Sequence, residues 1–88
     1  MTVAQVAAIE AVCLLGYALE HLGEYHECRA RARGFRGNAA LTEAVEAGKH
    51  LLCAHDLFRA FDDAMKREAV ARSVEVRAAW APSVFEAP

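Results

Sequence analysis

The sequence predicts an all-α protein built of antiparallel helix hairpins, a small bundle of three to five helices. Three observations predict it. The only prolines are Pro82 and Pro88, so nothing earlier forbids helix on proline grounds. Apolar residues recur at three- and four-residue spacing, the period of one helix face. Hydrophobic residues make up 56% of the chain, too many for a disordered one. Eighty-eight residues amount to one domain, expected over 1–81.

The first helix is expected over residues 3–22. Thr2 and Gln5 are spaced as a capping box, with Thr2 as N-cap and Gln5 three places on. Val12, Leu15, Leu19 and Leu22 form one apolar seam, and Val6, Ile9, Cys13 and Tyr17 an adjacent second one. A helix apolar on so many sides needs cover on more than one of them. Gly23 is a natural C-terminal stop.

A shorter helix follows over 24–33. Glu24 lies in its first turn, where the helix dipole favours an acid, and Tyr25, Cys28 and Ala32 give its buried side. Gly34-Phe35-Arg36-Gly37-Asn38 has loop composition. Asn38 suits the cap of a third helix over 39–54, with Leu41, Ala44, Val45, Gly48, Leu51 and Leu52 on a wide apolar face. Ala44 and Gly48, four apart, leave room for another helix to come close. At His55-Asp56 two readings stand. The pattern either runs through as Leu51, Ala54, Phe58, Phe61, Met65, or Asp56 caps a fourth helix over 56–72. Asp62/Lys66 and Asp63/Arg67 are favourable pairs four apart. Val74, Val76 and Trp80 suggest a short helix or continuation over 74–80 that packs Trp80 back, ahead of a loose tail over 82–88.

The stretch LGYALEHLGEYHEC, residues 15–28, resembles a tetratricopeptide repeat. Leu15-Gly16, Ala18, Leu22-Gly23, Tyr25 and Cys28 stand at the signature spacing over about residues 9–36. A shift of 32 residues gives a degenerate second copy, Gly48, Leu51, Ala54, Asp56, Leu57, Ala60 and Ala64, with His55 in place of the turn glycine. The resemblance implies a turn at Gly23 and close helix approach at Gly16. It implies a partner-binding groove lined by Glu10, Cys13, Tyr17, Glu20 and His21, and from the second copy by Thr42, Val45, Lys49, Leu52 and Cys53. More loosely, size and helical layout are similar to the small repeat-type chaperones of bacterial type III secretion.

Other chemistry is thinly represented. His21, His26 and Cys28, and His50, Cys53 and His55, match no metal-ligand spacing, so no metal or cofactor is expected. Ser73 and Ser83 have no nucleophile motif around them, and no phosphate loop is present, so no enzyme is expected. Arg29, Arg31, Arg33 and Arg36 form a basic strip, read either as cations complementing a helix C-terminus or as a contact for an acidic surface. The net charge of −2 gives no overall drive toward nucleic acid. Cys13, Cys28 and Cys53 read as reduced, mostly buried thiols of a cytoplasmic protein. Residues 11–19 are continuously apolar but too few to span a bilayer.

The expected function is a protein-binding adaptor or chaperone that buries an apolar segment of a partner, acting as a homodimer or in an obligate complex. The alternatives are a stoichiometric inhibitor, of the kind phages encode, docking through the arginine strip, and a purely structural homodimer.

Overall fold

The computed structural model describes the backbone of residues 1–86 and the side chains of residues 1–80. Among the described residues there are two helices and no strand: α1, Val3–Gly34, and α2, Asn38–Glu86. They pair as one antiparallel hairpin, a rod with extents of 79 × 15 × 14 Å. The all-α class and the hairpin stand; three to five helices do not.

The capping box at the start of α1 forms as expected. Gln5 N donates to Thr2 Oγ1 at 3.1 Å, and Thr2 N donates to Gln5 Oε1 at 2.9 Å. Helix α1 then runs unbroken through Gly23. A glycine inside a helix costs only about 1 kcal/mol, and continuous packing on α2 outweighs that. The chain reverses instead at Phe35–Gly37, where Gly37 adopts φ +63°, within the stretch expected to be a loop. Asn38 opens α2 as its first residue, and Thr42 Oγ1 donates to its carbonyl. Helix α2 passes through His55-Asp56 and through 72–74 without a break, so the run-through reading holds. It also continues to Glu86, into the expected tail, whose last two residues lie outside the described ones.

The helices meet along small side chains. Among the described residues, every buried one is an alanine or a cysteine: Ala4, Ala7, Ala11, Ala18 and Cys28 on α1, and Ala47, Ala54 and Ala64 on α2. With the half-buried Leu14, His21, Tyr25 and Ala32, the α1 seam advances by threes and fours from Ala4 to Ala32. The α2 seam does the same from Ala40 through Glu43, Ala47, His50, Ala54, Leu57, Phe61, Ala64, Glu68 and Ala71 to Glu75. This unbroken seven-residue repeat is that of a two-stranded coiled coil, with alanine in place of the usual leucine.

Three packing expectations are therefore corrected. The Val12–Leu22 seam lies beside the contact and not in it, with Val12 70% and Leu19 53% exposed and Leu15 and Leu22 half-buried. Close approach falls at the buried alanines and not at Gly16 or Gly48, because a Cβ added at either glycine would meet nothing within 4 Å. Trp80 is 68% exposed and is not packed back into the seam. Its reason is length. Glu75 already lies level with the start of α1, accepting from Ala4 N at 3.2 Å, so residues after it overhang the end of the partner helix.

Candidate protein-interaction surface

Polar groups cross the seam at four levels and fix its register. At the open end, Glu75 accepts from the Ala4 amide, one of the four N–H groups that a helix start leaves unpaired. Next, Arg67 forks onto Glu10 at 2.9 and 3.2 Å, and this contact holds the Arg67 guanidinium pKa above its ordinary value. At mid-length, the Nδ1 atoms of His21 and His50 lie 2.9 Å apart. Beside the loop, Arg31 Nε donates to Glu43 at 3.2 Å, the leading cause of its raised pKa. A slip of one helix past the other would break all four contacts together.

The two flanks of the seam differ in chemistry. On one flank lie the residues that immediately precede seam positions: Glu10, Tyr17, Glu24 and Arg31 on α1, and Glu46, Cys53, Ala60 and Arg67 on α2. The Glu10–Arg67 pair shows that these sets share a side; this flank is largely polar from Glu10 to Arg31, while Val3 and Val74, which precede Ala4 and Glu75, put exposed apolar groups at its open end. On the other flank lie residues that immediately follow seam positions. They are Ala8, Leu15 and Leu22 on α1, and Leu51, Phe58 and Met65 on α2. Val12 and Leu19 extend this flank outward on α1. Leu51 and Met65 stay 43% and 42% exposed while Leu15, Leu22 and Phe58 are half-buried, so a partly exposed apolar band runs along one side of the rod. Arg29 bounds it at the loop end and Arg72 toward the other.

The residues expected to line a groove do not converge on one. Glu10 is held by Arg67 on the polar flank, and Tyr17 is exposed there. Cys13 and Glu20 are exposed on the outer side of α1. Thr42, Val45, Lys49 and Leu52 are exposed on the outer side of α2, with Lys49 paired to Glu46 at 3.0 Å. Cys53 is exposed on the polar flank. His21 alone faces the other helix, meeting His50. The implied concave surface needs a helix pair turning at Gly23, and that turn is not made. The band was legible in part, since Leu15, Leu19 and Leu22 stood out as a seam. Its α2 half, Leu51, Phe58 and Met65, stood within the run-through pattern, which did not separate it from Ala54 and Phe61 of the seam.

The arginine strip is half engaged. Arg31 holds Glu43 and reaches Glu27 at 4.0 Å. Arg29 donates to the Tyr25 hydroxyl at 2.9 Å and lies 5.7 Å from its ring centroid. Arg33 and Arg36 have no ion pair among the described residues. Asp62 pairs with Lys66 at 3.1 Å as expected, whereas Arg67 turns from Asp63 to Glu10.

The thiols divide two to one against the expectation, with Cys13 and Cys53 exposed and Cys28 buried. Burial pushes the Cys28 thiol up, a change that neighbouring Arg31 only partly opposes, which disfavours the nucleophilic thiolate. Among the described residues, no three metal-ligating side chains come together.

The apolar stretch of α1 is longer than residues 11–19 suggested. As one continuous helix it is long and apolar enough to cross a membrane by length and composition, with 22% of the relevant window buried in the hairpin. No protein-family model matches the chain, and no curated protein and no solved structure is similar to it.

Proposed function

We propose that this chain is a protein-interaction module: a register-locked helical hairpin that works by burying its apolar flank against an apolar segment of a partner, as an adaptor or chaperone does. One observation carries the reading. A seam whose buried members are alanines and one cysteine leaves Leu15, Leu19, Leu22, Leu51, Phe58 and Met65 in one band beside it, with Leu19, Leu51 and Met65 exposed and Leu15, Leu22 and Phe58 half-buried. Apolar surface left partly exposed in one stripe marks an interaction site, and helices recognise one another through such seven-residue bands. The arginine strip supports the inhibitor reading less, because Arg29 and Arg31 are occupied within the hairpin.

The test is co-expression with the products of neighbouring genes, followed by thermal melting of the purified complex. A partner should raise the melting temperature, and Leu15→Glu should abolish that gain. Arg33→Glu with Arg36→Glu should leave it intact. If the isolated chain melts cooperatively at high temperature as a monomer and binds no hydrophobic dye, the reading is wrong.

A further inference from the structure

We propose that the occupant of the apolar flank is a second copy of this chain, two hairpins packing flank to flank about a two-fold axis into a four-helix bundle. This rests on the interaction-module reading and names its partner.

The first argument is area. A monomeric chain of 9.6 kDa ordinarily exposes about 5,100 Å², whereas this hairpin exposes 6593 Å². The excess is roughly 1,500 Å² per chain. Part of that excess belongs to the stretch of α2 past Glu75, but two chains covering even half of it for each other would withdraw about 1,500 Å² in total, the size of a stable interface.

The second argument is the spacing of the band. Ala8, Val12, Leu15, Leu19 and Leu22 advance by fours and threes, as coiled-coil seams do, so α1 carries a second seam beside the one it uses against α2. Leu51, Phe58 and Met65 repeat every seven residues along the same flank. A helix with two adjacent seams is built for a bundle of more than two helices. The band lies in the middle of the paired length, between Arg29 and Arg72. A two-fold axis through its centre superposes the two bands and leaves all four arginines at the rim, as a self-complementary interface requires.

The third argument disfavours a bilayer. The Glu10–Arg67 and Ala4–Glu75 contacts place the N-terminal half of α1 against the part of α2 that carries Arg59, Asp62, Asp63, Lys66, Arg67, Glu68 and Arg72. Inserting α1 as part of this hairpin would drag those charges into hydrocarbon. A second copy covers the band and leaves them in water.

Sedimentation equilibrium and circular dichroism on the full chain test the proposal, with Leu19→Glu/Leu51→Glu as the flank variant and Val70→Glu as the control at an exposed residue off the band. A helical species of twice 9.6 kDa is expected, reduced to monomer by the flank variant and unchanged by the control. A dimer that the control breaks and the flank variant does not would overturn the assignment of the face. A stable, helical monomer would overturn both this proposal and the interaction-module reading. A poorly helical monomer would overturn the second copy alone. Helix gained on adding phosphatidylcholine–phosphatidylglycerol vesicles would then assign the band to lipid, and no gain would leave it to a different protein.

Discussion

At the scale of single residues, the glycines separate into two kinds. Gly37 sits at φ +63° in the loop, a conformation that side chains with a Cβ adopt only under strain. Gly16 and Gly23 sit in helix, where an added Cβ meets nothing within 4 Å. Gly16→Ala and Gly23→Ala should each therefore stabilise the fold by about 0.5–1 kcal/mol. Gly37→Ala should destabilise it by a similar amount, and urea denaturation monitored by circular dichroism reads both signs. Burial also sorts the cysteines. Under native conditions Cys13 and Cys53 should alkylate readily while Cys28 lags until the hairpin opens, which mass spectrometry over a time course resolves. The glycines show where a sequence misleads. A glycine after a leucine seam has the composition of a helix stop, but its cost is small and the partner helix continues past it.

At the scale of the helix pair, the seam is narrow because its members are small. Ala18 and Ala64 are fully buried, so Ala18→Leu has no space to enter and should destabilise by about 1–3 kcal/mol through overpacking. The same change at Ala8, on the apolar flank, should cost far less. Comparing the two melting curves separates seam from flank. The His21–His50 contact sets register more than it stabilises, since replacing both partners of such a pair with apolar groups is often neutral or favourable. His21→Leu/His50→Leu should match or exceed the native melting temperature. His50→Leu alone should lower it, by leaving the His21 imidazole half-buried without its partner. Residue size explains why the seam was not read in advance. Hydrophobicity ranks Val12, Leu15 and Leu19 above Ala4, Ala7 and Ala11 as core candidates. The longer repeat, however, belongs to the alanines, continuous over 4–32 and matched by 40–75 on the facing helix.

At the scale of the whole molecule, a rod 79 Å long and about 15 Å across has little interior. Among the described residues the buried ones are seven alanines and one cysteine, so its large apolar side chains are at best half-buried in the isolated hairpin. Small helical chains with so thin a core ordinarily rely on association. Stability should then depend on mass action: the melting temperature should rise as protein concentration is raised, because association binds the folded state and not the unfolded one. A melting temperature independent of concentration would detach stability from assembly.

The sequence by itself determined what is local. The capping box at Thr2 and Gln5, the helical period on both sides of residues 34–38, the loop there and the Asp62–Lys66 pair depend on neighbours within one turn of chain, and each formed as read. Only the tertiary structure decided which of several apolar stripes on α1 meets α2, that Gly23 and His55 lie inside helices, and that Glu10 finds Arg67 fifty-seven residues away. The physical reason is that a helix apolar on several sides has no locally preferred face. The choice among its stripes is made by how closely a second helix can approach and how many cross-seam contacts one register satisfies at once. Those quantities belong to the pair, and the pair buried its alanines, leaving most of the leucines for whatever packs beside it.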